Sequence, residues 1–214
     1  MHEKIAVGAL AALLASGAAF AQSAQVPDHG WYFGGDVGQS RGPGGGDING
    51  SFTNQGIPAT GTSVKKTDTA WGLNLGYRLN RNWALEGGYR GLGKFGYSTS
   101  TTGGGNISGD YKAHAWSFAG LGFLPLGASA WSLYGKLGLA RTNVDRDVNS
   151  QTAGIAAVNA SANRTGLLAG LGVNYDFASN WYGRLGWDHY DRVGDGNTGK
   201  TSIDVIGAGI GVRF

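Results

Sequence analysis

The chain is poor in the residues on which several classes of protein depend. Its 214 residues include no cysteine and four prolines, and 14% of them are charged. Without cysteine, the chain can form neither a disulfide framework nor a thiolate metal site. Its basic residues are scattered among acidic and aromatic ones, with Lys65-Lys66 as a run. We therefore expect no nucleic-acid partner, because nucleic-acid binding needs a clustered basic face.

The first 21 residues have the pattern of a secretory signal peptide. Lys4 precedes an apolar run from Ile5 to Phe20, and the run ends in Ala19-Phe20-Ala21. A basic residue, a short apolar run and an A-x-A site are typical of an exported protein. The run is too short and too rich in alanine to favour the alternative, a retained N-terminal anchor. We expect cleavage after Ala21, which leaves one domain over residues 22–214.

After the signal peptide, no apolar run is long enough for a membrane-spanning helix. Glycine is abundant, at 41 residues, but seven Trp, nine Tyr and eight Phe argue against a disordered chain. Apolar and polar residues instead alternate with period two, which indicates β-strands. The alternating segments predict eight strands at about 31–41, 68–79, 82–92, 111–124, 130–141, 164–177, 180–191 and 202–214.

The second predicted strand shows the alternation most clearly. One face is rich in apolar side chains: Thr69, Trp71, Leu73, Leu75, Tyr77 and Leu79. The other face is small and polar: Asp68, Ala70, Gly72, Asn74, Gly76 and Arg78. In a soluble sandwich the apolar face would form the core, whereas in a lipid-embedded barrel it points outward and the polar face points inward.

Four tryptophans recur at intervals of about 50 residues: Trp31, Trp83, Trp131 and Trp181. A period of this length indicates a repeated supersecondary unit, here two strands and a loop. Four such units give eight strands, the smallest number that closes into a membrane barrel. Indole favours the membrane interface, so we expect the four tryptophans to form a periplasmic aromatic girdle.

Short and long connections alternate along the chain. The short turns are Asn80-Arg81, Pro125 to Ser129 and Ala178-Ser179, and the long loops are 42–67, 93–110, 142–163 and 192–201. Short turns at one rim and long loops at the other are typical of an outer-membrane barrel. The predicted fold class is therefore all-β: an eight-stranded antiparallel up-and-down transmembrane β-barrel of the Gram-negative outer membrane, with short periplasmic turns and long extracellular loops.

Several strand segments resemble the transmembrane domain of the OmpA-like outer-membrane proteins. They are Gly30-Trp-Tyr-Phe-Gly-Gly, Trp71-Gly-Leu-Asn-Leu-Gly-Tyr77, Leu85-Glu-Gly-Gly-Tyr89, Leu133-Tyr-Gly-Lys-Leu-Gly138 and Gly209-Ile-Gly-Val-Arg-Phe214. The resemblance covers essentially the whole mature chain. It implies that the terminal Phe214 belongs to an assembly signal read by the barrel-assembly machinery. Because the sequence stops at Phe214, the family's periplasmic peptidoglycan-binding domain and a wall-anchoring role are not expected.

The tryptophan spacing also predicts which charged residues share the barrel interior. Positions three, five and seven residues beyond each tryptophan face inward, and each of these layers holds one acid and one base. The predicted cross-lumen pairs are Glu86–Arg184, Asp36–Lys136 and Arg90–Asp188. An eight-stranded barrel is just wide enough to be filled by side chains, so we expect a plug. The alternative is a gate in which rearranged pairs open a narrow ion path.

Other motifs carry less weight. Residues 194–201 fit a phosphate-loop pattern and 91–96 a dinucleotide pattern, but neither precedes the helix that such a motif needs. His189, Ser202 and Asp204 share one lipid-facing parity, as a lipid-hydrolysing triad would require. Outer-membrane lipid A deacylases, however, carry His-x-Ser on one strand, where this chain has His189-Tyr-Asp191. We expect no enzyme activity, no cofactor and no metal site.

The function predicted from these features is a structural or surface-interaction role in the outer membrane, in envelope integrity or adhesion. The alternatives are a low-conductance channel gated by the interior ion pairs and a lipid A-modifying hydrolase. The expected partners are outer-membrane lipids and lipopolysaccharide, the barrel-assembly machinery, and an extracellular ligand at the loops 42–67, 93–110, 142–163 and 192–201. The first of these loops carries Ile48, Phe52 and Ile57 among Gly and Asn, a composition that suits either an extracellular partner or a cover over the rim. We expect a monomer.

Overall fold

The structure, a computed structural model, describes residues 28–42, 45–54, 56–57, 59–152, 159–194, 198 and 201–214. The predicted signal peptide lies outside the described residues, and so does most of the phosphate-loop-like segment. The described residues form nine strands and one helix. In chain order these are β1 (Gly30–Arg41), α1 (Gly45–Asn54), β2 (Ala59–Val64), β3 (Thr67–Arg78), β4 (Trp83–Thr101), β5 (Asn106–Pro125), β6 (Trp131–Gln151), β7 (Ala160–Asp176), β8 (Trp181–Val193) and β9 (Thr201–Arg213). None of the helical structure in these ranges is long and apolar enough to cross a membrane.

Eight of the strands close into one antiparallel barrel. Around the ring the order is β4-β3-β1-β9-β8-β7-β6-β5, and the pairing of β4 with β5 completes it. Strands that follow each other in the chain are neighbours, and the first pairs with the last, as in an up-and-down barrel. The prediction of eight barrel strands is confirmed. The ninth strand, β2, is an addition that pairs with the end of β4, from Tyr97 to Thr101.

Alternation along the strands separates an apolar outer surface from a polar interior. On β3, Trp71, Leu73 and Leu75 are 47%, 47% and 49% exposed, whereas Ala70 is buried on the other face. A soluble domain would bury such large apolar side chains. Their exposure around the barrel is that of a surface made to face lipid.

The four repeating tryptophans lie at one rim of the barrel. Trp83, Trp131 and Trp181 are the first residues of β4, β6 and β8, and Trp31 is the second residue of β1. All four side chains are exposed on the outer surface. They therefore mark the rim formed by the short turns.

Two of the predicted long loops are largely strand. The segment 93–110 is wrong as a loop, because β4 continues to Thr101 and β5 begins at Asn106. Most of the segment 142–163 likewise belongs to β6 and β7. These strands form hairpins that extend well beyond the part of the barrel with the lipid-facing side chains.

A bulge in β4 explains why the sequence pattern ends early. The register between β4 and β5 shifts at Gly93, whose φ is +112°, a conformation that favours glycine. Up to Leu92 the even-numbered residues of β4 face inward, but after the bulge Phe95 and Tyr97 are the buried ones. A bulge shifts the alternation by one residue, so the sequence pattern ends at the bulge although the strand continues.

The first long connection folds over the opening of the barrel. The sequence predicts an irregular loop over 42–67, but this segment contains α1 and β2. Ile48 and Phe52, on α1, are fully buried. The Phe52 ring lies 5.7 Å from the Tyr97 ring and 4.4 Å from the Arg146 guanidinium. Both α1 side chains therefore cover the barrel interior and are not presented to an extracellular partner.

The charged barrel interior as the candidate functional site

All six charged residues predicted for the interior face it. They are distributed over four strands: Asp36 on β1, Glu86 and Arg90 on β4, Lys136 on β6, and Arg184 and Asp188 on β8. Their side chains are between 5% and 15% exposed. Charges buried to this extent are tolerated when they are paired and hydrogen-bonded, so their partners decide the character of the site.

Glu86 holds two basic side chains at once. Nη1 of Arg184 donates a hydrogen bond of 2.7 Å to Oε2 of Glu86, and Nζ of Lys136 lies 3.1 Å from Oε1. The hydroxyl of Tyr32 donates a further hydrogen bond of 3.0 Å to Oε2. The structure thus brings together Glu86 and Arg184 and adds Lys136 from the next layer.

Asp188 and Asp36 extend the same network. Nζ of Lys136 and Nη2 of Arg90 lie 3.5 Å and 3.4 Å from Oδ2 of Asp188. Arg90 also lies 2.7 Å from Oδ1 of Asp36. Among the described ion pairs, Asp36 and Lys136 do not meet as the sequence predicts, but are linked through Arg90 and Asp188. The long arginine and lysine side chains reach into the neighbouring layer. Two charged residues at the same sequence distance from their tryptophans are therefore not always ion-pair partners.

Three inward tyrosines fill the space that cross-strand glycines leave. The directly opposed pairs are Tyr32 with Gly76, Tyr134 with Gly172, and Tyr182 with Gly211. In each pair a Cβ atom on the glycine would come too close to the tyrosine ring. The Arg184 guanidinium lies 5.0–5.8 Å from the centroids of all three rings, within the range of cation–π attraction. These glycines therefore make room for the tyrosines that surround Arg184.

We expect Gly76→Ala to destabilise the barrel by about 1–3 kcal/mol, the usual effect of overpacking a well-packed interior. The added methyl group would displace the Tyr32 ring and with it the hydrogen bond to Glu86. Urea unfolding in detergent micelles, followed by tryptophan fluorescence, measures the change. Gly87→Ala is the matched control, because a Cβ atom there meets backbone oxygens at 3.9 Å, an ordinary contact. Equal midpoints for the two variants would contradict the packing role of Gly76.

A second charged cluster, which sequence reasoning missed, lies near the short-turn rim. Arg213 on β9 pairs with Asp176 on β7, and Asn174 donates a hydrogen bond of 2.8 Å to the same carboxylate. The guanidinium of Arg78 stacks on Phe123, 4.3 Å from the ring centroid. The signal that could have found this cluster was inward parity, because Arg78 is on the polar face of the second predicted strand. The predicted ion pairs start three residues beyond each tryptophan, whereas this cluster lies closer to the short-turn rim.

Towards the long-connection rim the interior becomes mainly apolar, although Arg146 is also fully buried there, against the Phe52 ring. Its fully buried side chains include Leu92, Phe95, Tyr111, Val144 and Val205. The buried side chains of α1 belong to the same cluster. The barrel interior therefore has a charged level, with a mainly apolar level between it and the connection that covers the opening.

The extended hairpins carry a ladder of ion pairs on their outer face. Lys94 lies 3.0 Å from Asp110, and Lys112 lies 2.8 Å from Asp147. Partial burial raises the pKa of Asp110, but hydrogen bonds from Asn149 and Lys94 outweigh this and hold that pKa below its usual value. These pairs satisfy one another on an exposed surface, where each contributes little to stability.

His189 and Asp204 contact each other on the outer surface. Nδ1 of His189 lies 2.8 Å from Oδ1 of Asp204, directly across the β8–β9 ladder. Ser202 is on the same outer face of β9, but no hydrogen bond joins its hydroxyl to His189 in the described part of the chain. A hydrolytic triad needs that bond to activate the nucleophile. The structure therefore brings together His189 and Asp204 but does not join the candidate nucleophile, Ser202, to them.

The closed ring of eight strands, the half-exposed apolar outer face and the charged interior define an integral β-barrel of the outer membrane. The chain belongs to the OmpA-like transmembrane domain family, whose sequence pattern matches residues 27–214. The resemblance noted in the strand segments is thereby confirmed. Outer-membrane barrels have their short turns on the periplasmic side, which predicts that the rim with the tryptophans is periplasmic and that the extended hairpins and α1 are extracellular.

A curated relative is outer membrane protein A of Serratia marcescens, which is 30% identical over 210 residues. The match covers 96% of this chain and 55% of the relative, so the chain spans about half of that protein's length.

Three solved structures are similar in fold alone. OprG of Pseudomonas aeruginosa is 17% identical, with a TM-score of 0.59 over 89% of this chain and 99% of that one. Neisserial surface protein A is 16% identical, with a TM-score of 0.56 over 88% and 100%. Ail of Yersinia pestis, the attachment invasion locus protein, solved with the heparin analogue sucrose octasulfate, is 17% identical, with a TM-score of 0.52 over 88% and 100%.

Proposed function

We propose that this protein is a closed, non-enzymatic barrel with a structural and surface-display role in the outer membrane. The observation that carries the proposal is the ion-pair network of the interior. Contacts of 2.7–3.5 Å connect three acids and three bases on β1, β4, β6 and β8, strands distributed around the whole ring. Side chains that meet across the interior in this way leave no wide path for a solute.

Two further features support a plugged lumen. The cavity within the network, lined by Asp36, Arg90, Lys136, Arg184 and several glycines among others, has a volume of about 30 Å³, which suits ordered water but not a larger solute. On the extracellular side, Ile48 and Phe52 of α1 add an apolar seal. A small barrel filled by its own side chains is the expected form for eight strands.

The surface-display part of the proposal rests on the length of the extracellular hairpins. β6 has 21 residues, whereas a barrel strand needs roughly 9–11 to cross the membrane. About half of this strand therefore stands outside the membrane, supported by β5 and β7. A rigid hairpin of this kind can present side chains to an extracellular ligand without a long flexible loop. Ail, an attachment protein of similar fold, is the basis for including adhesion in the proposal.

Conductance in planar lipid bilayers tests the closed interior. The refolded protein is expected to give no discrete channel openings, because the network and α1 block the lumen in series. Glu86→Gln, which breaks the centre of the network, is the informative variant, and Arg81→Gln is its control, since Arg81 pairs with Asp28 in an exposed position. Discrete openings of the wild-type protein that change with Glu86→Gln but not with Arg81→Gln would contradict the plug.

That last outcome would favour the second candidate, a narrow channel gated by the ion pairs. The observation in its favour is that the bases have more than one partner within reach. Lys136 lies within 4.0 Å of both Glu86 and Asp188, and Arg90 within 4.0 Å of both Asp188 and Asp36. An exchange of partners along this series could open a path without leaving a charge unpaired.

A further inference from the structure

Three aromatic side chains form a continuous row on the lipid-facing surface, well away from the tryptophans of the periplasmic rim. The Tyr89 ring lies 5.7 Å from Trp71 on β3 and 4.8 Å from Trp116 on β5, measured between centroids. His114 joins them, 6.1 Å from Tyr89. Trp71 and Trp116 are 47% and 62% exposed. We call these four residues the outer aromatic patch.

An unpaired cation lies next to this patch. Arg141 on β6 is directly opposite Trp116 in the β5–β6 ladder, and its side chain is exposed. It has no ion-pair partner in the described ranges, whereas its neighbours on the hairpins, Lys94 and Lys112, each hold an aspartate. An arginine left unpaired beside exposed aromatic rings is available to an anion from outside the protein.

The heights of these residues match the boundary of a membrane. Arg141 is ten residues beyond Trp131 on β6, and a barrel strand crosses in roughly 9–11 residues. Arg141 therefore lies where the outer leaflet meets water. Tyr89 is six residues beyond Trp83 on β4, so the row of rings begins within the hydrocarbon layer. The surface thus has an apolar lower part and a positive upper end.

We propose that the outer aromatic patch and Arg141 bind the phosphorylated glycolipid of the outer leaflet, the lipid A part of lipopolysaccharide. The guanidinium of Arg141 takes a phosphate group in a bidentate, charge-assisted contact, and the His114 ring offers a further N–H donor at the same end. The rings of Trp71, Tyr89 and Trp116 pack against the acyl chains. The proposal rests on the outer-membrane location of the barrel and is independent of whether the lumen is closed.

Arg41 provides a matched control on another side of the barrel. It is ten residues beyond Trp31, and its side chain is exposed at the same height as Arg141. Its cross-strand neighbour on β9 is Asp204, however, whereas Arg141 lies opposite Trp116. Arg41 has the same charge and the same depth, but a carboxylate takes the place of the aromatic neighbour.

Native mass spectrometry of the refolded full chain in detergent micelles tests the site. The probes are purified bis-phosphorylated lipid A, the same lipid after enzymatic dephosphorylation, and phosphatidylglycerol. The wild-type barrel is expected to retain one molecule of bis-phosphorylated lipid A. Arg141→Gln should weaken this binding about tenfold, the loss of one charge-assisted contact, and Trp116→Leu should weaken it too, while Arg41→Gln should bind as the wild type does. A heat-dependent shift on gel electrophoresis shows that each variant is folded.

Four results would overturn the proposal. If Arg41→Gln weakened lipid A binding as much as Arg141→Gln does, the attraction would be a general effect of positive charge and not of this site. Unchanged binding by Arg141→Gln would mean that Arg141 does not contact a phosphate group. Equal binding of dephosphorylated lipid A would mean that the phosphate groups do not contribute to binding. Equal retention of phosphatidylglycerol would leave the surface without preference for a glycolipid.

Discussion

Replacing Glu86 with glutamine is expected to lower the free energy of unfolding by about 3–5 kcal/mol, the usual cost of removing one partner from a buried ion pair. Glutamine has the same shape, so the loss comes from charge and not from a cavity. Arg184 and Lys136 would remain in the interior without the carboxylate that lies 2.7 Å and 3.1 Å from them. Urea unfolding in micelles and the gel-shift temperature both measure the effect.

A double-mutant cycle separates the ion pair from its surroundings. The combined variant with Glu86→Gln and Arg184→Gln should be more stable than the sum of the single effects predicts, by at least about 1 kcal/mol, because it leaves one fewer unpaired charge. The exposed pair of Arg81 and Asp28 is the control, and Arg81→Gln should cost less than about 1 kcal/mol. Additive single effects would mean that Glu86 and Arg184 are not coupled in the folded barrel.

Phe52→Ala is expected to release the extracellular cover of the barrel. Truncating a fully buried phenylalanine costs about 3–5 kcal/mol, and here the lost contacts are those with Tyr97 and Arg146. The barrel strands are hydrogen-bonded to one another around the whole ring, so the effect should be local. Limited digestion with a non-specific protease is expected to cut between residues 45 and 64 at least roughly tenfold faster than in the wild type, since local opening follows the local free energy.

Thr53→Ala is the matched control for this experiment. Thr53 is the next residue of α1, and its side chain is exposed and bonded to the Asn49 carbonyl within the same helix. Its removal should leave the digestion rate close to that of the wild type. If both variants are cut at the same rate, α1 does not pack on the barrel as the structure describes.

Much of the barrel could be predicted from the sequence because lipid imposes a strict pattern on its strands. Each strand must satisfy its backbone through its neighbours and present apolar side chains to one side. The alternation on β3 and the repeat from Trp31 to Trp181 both follow from this demand. They gave the strand number and the inward-facing residues without any knowledge of tertiary contacts.

The partners within the interior could be predicted only in part. Parity tells which side chains enter the barrel, and it placed Glu86 and Arg184 on facing strands. Parity does not tell how far a side chain reaches, and Arg90 contacts Asp36 in a neighbouring layer. The tyrosine rings that stack over Gly76, Gly172 and Gly211 were missed for a related reason. An opposed glycine is visible in a sequence only when the cross-strand register is already known.

The helix α1 could not be predicted because its local sequence argues against it. Three of its ten residues are glycine, each of which disfavours a helix by roughly 1 kcal/mol relative to alanine. What holds the segment in a helix is the burial of Ile48 and Phe52 over the barrel, a tertiary effect. Stability of this kind appears only once the barrel opening exists to receive the two side chains.

The bulge at Gly93 separates two parts of β4 that obey different constraints. Below it, parity decides which side chains meet lipid, and a shift of one residue would turn the apolar face inward. Beyond the bulge, the residues that face inward follow a new alternation. A hairpin can therefore gain or lose residues there without changing which side chains of the membrane-spanning part face lipid. The bulge thus lets the barrel carry extracellular hairpins of other lengths and sequences while its membrane-spanning part stays the same.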